Sequence, residues 1–184
     1  MSPTLVMPSR TGPLIRLSTG TGTGPTRLAA FDAALAAAGL ADYNLLPLSS
    51  VIPPGARVEV VDAEHQVSGE HGDLLYCVYA TAVALEPGVA AWAGVAWALR
   101  DDGSGAGLFV EHHAATEAPL QADLGATLAA MITRRPDRYT EAGRLLASVC
   151  CTDEPVVAVV VASYHTMGWS ARLSTAVPDL QPSR

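Results

Sequence analysis

The chain contains no lysine; its eleven basic residues are all arginine. A lysine-anchored Schiff base is therefore excluded, and ordinary pyridoxal phosphate chemistry with it. Cysteine is scarce. Cys77, Cys150 and Cys151 form an odd set with an adjacent pair, which is no disulfide framework. Positive charge is also in short supply. A net charge of −7 argues against nucleic acid and against an anionic membrane as partners. Long apolar runs are missing too: the longest, "VVAVVVA" at 156–162, is far too short to cross a bilayer. The opening "MSPTLVMPSR" has neither a basic leader nor an apolar core, so no secretory leader is expected there. Together these absences predict a globular protein of the reducing cytoplasm.

What is present is apolar. With 184 residues and a hydrophobic fraction of 49%, the chain can build one domain with a sizeable core. It is rich enough in apolar residues to predict burial between subunits as well. "LIRLS" reads as a strand, and "TGTGTGPT" as a glycine-rich loop leading to Pro25 as a first helical residue. Residues 27–38 read as a helix stopped by Gly39, with Leu28, Phe31 and Leu35 at helical spacing. "NLLPLSSVI", "RVEVVD", "LLYCVYATAVAL", "AAWAGVAWAL" and "GLFVEHHAA" read as strands. Leu120, Leu124, Leu128 and Met131 mark a second helix between Pro119 and Pro136. "RLLASVCC" and "VVAVVVASY" read as buried strands, and the tail "VPDLQPSR" as frayed. Many strands and few helices, without strict alternation, predict a single-domain layered α+β sandwich.

Several features compete as sites. The glycines of "GTGTGPT" miss the spacings of the dinucleotide fingerprint and the phosphate loop, so a tight strand-to-helix turn is the reading preferred; a backbone cradle for an anion is the other. "EHH" at 111–113 brings to mind a metal, but on a strand Glu111 and His113 share a face and His112 points away. His65, His71 and His165 are scattered singly, so no metal is expected. Glu111, after the apolar "GLFV", reads instead as a partly desolvated carboxyl and a candidate proton donor. Cys150 and Cys151 read as packing residues, Trp92 and Trp97 as core or interface aromatics.

The pair Ser49-Ser50 resists such a reading. It interrupts an apolar run, and Pro53-Pro54 then ends the strand rigidly. In its setting, "FDAALAAAGLADYNLLPLSSVIPPGARVE" with "GLFVEHH" further on, the chain resembles the pyruvoyl-dependent arginine decarboxylases. The resemblance spans most of the chain and is strongest over residues 28–58. Its specific motif is Asn44, six residues before Ser50, then Ser-Ser, hydrophobics and Pro-Pro.

The resemblance implies self-cleavage between Ser49 and Ser50 into a beta chain, 1–49, and an alpha chain, 50–184. Ser50 would become the pyruvoyl group, with Asn44 assisting processing. Decarboxylation of arginine to agmatine through a Schiff base would follow. Glu111 matches the family's proton donor, Asp32 its guanidinium-binding aspartate and Leu28 an apolar contact beside it. Neither pyridoxal phosphate nor metal is implied. An αββα-type fold, a homotrimer or dimer of trimers, and sites between subunits are implied. Ala41 departs from the glycine expected three residues before Asn44, which bears on substrate specificity. The alternatives are a pyruvoyl decarboxylase for another amino acid, or an unprocessed homologue acting as a binding or assembly subunit.

Overall fold

The computed structural model describes residues 12–169; the opening segment and the tail discussed above lie outside them. The elements run β1 (Leu14–Thr23), α1 (Arg27–Ala37), β2 (Asn44–Pro47), β3 (Val51–Ile52), β4 (Arg57–Val60), β5 (Leu74–Ala84), β6 (Ala90–Arg100), β7 (Gly107–Ala114), α2 (Glu117–Thr133), β8 (Tyr139–Cys150) and β9 (Val156–Met167). They make two sheets, ordered β2-β5-β9-β1-β4 and β3-β7-β6-β8.

Three apolar layers hold the elements together. Ile15, Leu17, Val95, Phe109 and Val160 fill the space between the sheets. Ala30, Ala34 and Leu35 of α1 pack on Leu75, Val159 and Val161 of the first sheet. Leu120, Leu124 and Leu128 of α2 pack on Ala96, Ala98 and Val110 of the second. The result is the single-domain layered α+β sandwich expected from the sequence, in the αββα arrangement that the resemblance implies. The continuous run at 156–162 follows from this layering: β9 is central and covered on both faces, so every one of those side chains is buried. Among the described residues, no helix is long and apolar enough to cross a membrane.

The glycine-rich segment departs from expectation. β1 continues as strand through Thr23, paired with β9 as far as Thr23 with Val156. Its glycines are there for contact. A Cβ at Gly20 would lie 2.0 Å from the Ala34 carbonyl oxygen, and one at Gly22 would lie 2.3 Å from that of Ala30. Helix α1 therefore rests directly on the strand backbone, and T-G-T-G-T is the small-residue face that admits it. Thr26, not Pro25, starts the helix, capping the Ala29 N–H at 3.1 Å.

Pro119 lies inside the first turn of α2 rather than ahead of it. That position loses no helical hydrogen bond, because first-turn N–H groups have no partner within the helix. Trp97 is core, with its ring 6.3 Å from that of Phe109. All three cysteines are free; Cys77 and Cys151 are buried, but Cys150 is exposed, so only one of the adjacent pair packs. Burial pushes the Cys77 thiol up to about 12, against a smaller opposing effect of a backbone hydrogen bond at Leu46. An un-ionised thiol of that kind is a packing group.

Candidate active site

The chain reaches the serine pair by changing sheets. β2 is an edge strand of the first sheet, pairing with β5 only, an arrangement that tolerates Pro47. Its last tie to that sheet is the Leu48 N–H to the Cys77 carbonyl, 2.8 Å. Three residues later, Val51 pairs with Leu108 in β3, an edge strand of the other sheet. "NLLPLSSVI" is thus two strands in different sheets, not one. The turn is made at Ser50, whose φ of +64° is the only positive value among the described non-glycine residues. A serine there costs roughly 1–2 kcal/mol relative to ordinary backbone, and no strand continues through it. Pro53 and Pro54 follow directly after β3, as expected.

The side chain of Ser50 is held as firmly as its backbone. It is 8% exposed, whereas Ser49 is exposed. Its hydroxyl donates to the Glu111 carboxylate, at 2.8 Å to Oε1 and 3.0 Å to Oε2. Glu111 arrives on β7, which also supplies the Phe109 N–H that donates to the Ser50 carbonyl at 2.8 Å. The pair lines a cavity of about 310 Å³ together with Ser49, His112, Thr127 and Met131. A carboxylate on a serine hydroxyl can take its proton and turn it into a nucleophile. The adjacent amide carbonyl of Ser49 is a ready electrophile.

Strand alternation sorts "EHH" as the sequence indicated. Glu111 turns to Ser50, while His112 turns to α2 and meets the Thr127 hydroxyl at 2.8 Å. Among the described residues, no cluster of three or more His, Cys, Asp or Glu could hold a metal ion.

The other residues singled out from the sequence stand apart. Asn44 is exposed at the start of β2, and its side-chain amide donates to the Gly72 carbonyl at 2.7 Å. Leu28 and Asp32 are exposed on α1, on the outer side of the first sheet. Leu28 lines a separate cavity of about 410 Å³ with Arg27, Phe31, Thr81, Val83 and Val157. Ala41 is exposed in the turn after α1. One residue near the site was not singled out. Tyr164, on β9, donates its hydroxyl to the Val51 carbonyl at 3.0 Å. The signal was present: Tyr164 follows Ala162 by two, so it continues the face that packs between the sheets.

The family model for pyruvoyl-dependent arginine decarboxylase matches residues 14–168. A pyruvoyl-dependent arginine decarboxylase of Halobacterium salinarum is 40% identical over 154 residues, covering 83% of this chain and 94% of that protein. Pyruvoyl-dependent arginine decarboxylase 1 of Methanosarcina mazei is 35% identical over 101 residues, 54% of this chain and 60% of its own. The Methanopyrus kandleri protein of the same name is 60% identical over 41 residues, 22% of this chain and 27% of its own. With a matched span that runs from β1 to the end of β9 and holds both Ser50 and Glu111, the chain belongs to the pyruvoyl-dependent arginine decarboxylase family.

Proposed function

We propose that this chain cleaves itself between Ser49 and Ser50 and then converts arginine to agmatine and carbon dioxide. The observation that carries the reading is the Ser50 hydroxyl on the Glu111 carboxylate. Ser50 Oγ attacks the Ser49 carbonyl carbon as its proton passes to Glu111. The C–N bond breaks, the nitrogen is protonated, and an ester joins Ser49 to Ser50. Loss of the Ser50 α-proton and of the Cβ–Oγ bond releases Ser49 as a carboxylate. Water then converts the resulting dehydroalanine to a ketone and ammonia. Cleavage also removes the left-handed constraint, because φ of residue 50 requires the bond that is cut. Fixed proximity of this kind can supply about 7–11 kcal/mol of a barrier. Asn44 is assigned to the oxyanion of this step, for which its amide must exchange the Gly72 carbonyl for Ser49.

The position of residue 50 fits a pyruvoyl group. It is buried, it opens on a cavity, and its carbonyl is already bound by the Phe109 N–H. Such a group supplies a ketone able to condense with the substrate amine and accept the electron pair left by departing carbon dioxide. No lysine is present to anchor pyridoxal phosphate instead. Glu111, beside position 50, relays a proton from solvent to the substrate α-carbon after carbon dioxide leaves. Asp32 pairs with the guanidinium through two charge-assisted hydrogen bonds, and Leu28 packs along the aliphatic stem.

Leu28 and Asp32 do not line the Ser50 cavity of their own chain, so a neighbouring copy brings its α1 to that cavity. An exposed Leu28, at 76%, beside an apolar cavity suits a surface that another copy covers, as in a homotrimer or a dimer of trimers. Three free thiols suit the reducing cytoplasm. Intact-mass spectrometry should find fragments of 1–49 and 50–184, the second carrying a ketone at its start. A panel of arginine, lysine, ornithine, histidine and aspartate should then release carbon dioxide fastest from arginine. A single uncut chain overturns the processing, and faster release from an acidic amino acid overturns the role of Asp32.

A further inference from the structure

Residue 50 sits where the strand that carries it is least able to hold it. β3 has two residues, and it is the edge of its sheet. Val51 pairs with Leu108, while the flanking hydrogen bond runs from the Phe109 N–H to the Ser50 carbonyl. In an antiparallel ladder that pattern turns the N–H and C=O of Val51 away from β7. On an edge strand, no further strand lies there to receive them. The Val51 carbonyl is nevertheless bonded. Its donor is the Tyr164 hydroxyl at 3.0 Å, from β9 in the opposite sheet.

The donor is itself well placed. Tyr164 follows Val160 and Ala162 on the inter-sheet face, and its ring meets Phe109 edge-on, with centroids 6.2 Å apart and planes at 71°. Phe109 is the same residue whose N–H holds the Ser50 carbonyl. Burial first, and the negative charge of Glu111 second, keep the Tyr164 phenol well above its ordinary pKa, so it remains a donor at any working pH.

We infer that Tyr164 is a positioning residue for both self-cleavage and turnover: by holding the Val51 carbonyl across the gap between the sheets, it keeps residue 50 against Glu111. Before cleavage this clamp holds a left-handed serine with its hydroxyl on the carboxylate. After cleavage residue 50 is a chain end, and the clamp replaces part of the restraint that the Ser49 bond supplied. The inference rests on the processing reading above.

The test is Tyr164→Phe, which keeps the ring against Phe109 and removes only the hydroxyl, beside a chain carrying 3-fluorotyrosine at 164, which keeps both. Freshly translated chains are followed by intact mass. The Phe variant should cleave roughly five- to tenfold more slowly, the size of one lost neutral hydrogen bond, while the fluorotyrosine chain keeps the wild-type rate. Once cleaved and counted by ketone titration, the Phe variant should show a lower kcat per ketone with KM for arginine unchanged. Equal slowing in both variants would reduce Tyr164 to a packing group. A Phe variant that cleaves and turns over at the wild-type rate overturns the inference and leaves the processing reading intact. A wild-type chain that never cleaves overturns both.

Discussion

Two pairs of side chains invite comparison. Ser50 and Glu111, 61 positions apart, meet within one chain, in a cavity between an edge strand and its neighbour. Leu28 and Asp32, four positions apart on α1, share a helix face and are both exposed. The first pair is held by strand register and by hydrogen bonds of fixed length. The second is held only by its helix: Leu28 lines a separate cavity with Phe31, Thr81, Val83 and Val157, and Asp32 is exposed. The difference teaches a division of labour. Under the proposed function, bond-making groups, which must stay within a fraction of an ångström, are built inside the fold, and recognition of a long flexible side chain is left to a surface that another copy can complete.

The sharpest way to break this comparison is at Glu111. Glu111→Gln keeps size and hydrogen bonding but cannot cycle a proton. Arginine turnover should fall by about 10²–10⁴, the usual worth of a positioned acid or base. Self-cleavage should slow as well, because the same carboxylate accepts the Ser50 hydroxyl's hydrogen bond and is proposed to take its proton. Stopped-flow carbon dioxide release and intact mass report the two effects separately. Cleavage at the wild-type rate would confine Glu111 to turnover.

Asn44→Ala tests whether the internal pair needs help. Losing one oxyanion donor should slow cleavage by about 10²–10³. Since the ground-state partner of Asn44 is the Gly72 carbonyl, an unchanged rate would assign Asn44 to that turn alone.

Asp32→Asn addresses the external pair. It should raise KM for arginine by roughly 10–100-fold, the range for one lost charge-assisted hydrogen bond, and leave cleavage intact. Mixing this variant with Ser50→Ala chains sharpens the point. If α1 of one copy serves the cavity of another, refolded mixtures regain activity that neither variant has at low arginine. Mixtures no better than their parts would place the whole site in a single chain.

The smallest effect expected involves neither pair. Arg144, on β8, donates to the Gln121 carbonyl and side chain of α2 and pairs with Glu141. Hydrogen bonding to Arg144 holds the Glu141 carboxyl below its ordinary range. A depressed folded pKa contributes stability above the unfolded value, and the contribution is lost as pH falls through the folded one. Thermal melts should therefore show a loss below about pH 4, under ~1 kcal/mol as for exposed pairs, and absent in Glu141→Gln.

Much of this was legible in the residues. Alternation separated Glu111 from His112, and the unbroken apolar run at 156–162 marked a strand covered on both faces. The Ser-Ser pair ahead of two prolines, with Asn44 before it, pointed to the site. The glycine segment misled because T-G-T-G-T looks the same whether glycine provides a turn or a smooth face for a helix. Only Ala30 and Ala34, brought over it by the fold, settle which.

By itself the sequence determined what each segment can do: which face is apolar, where a strand must stop, which side chains carry chemistry, and that no lysine can anchor a cofactor. Those properties are local, set by side-chain volume, polarity and backbone freedom. Tertiary structure alone decided what meets what. It sent the chain from one sheet to the other at Ser49-Ser50, set Ser50 against Glu111 from β7, brought Tyr164 to Val51 across 113 positions, and left Leu28 and Asp32 facing outward. The physical reason is that strand pairing joins residues remote in sequence. A strand records in its pattern that it has a buried face, but not which strand will lie against its edge.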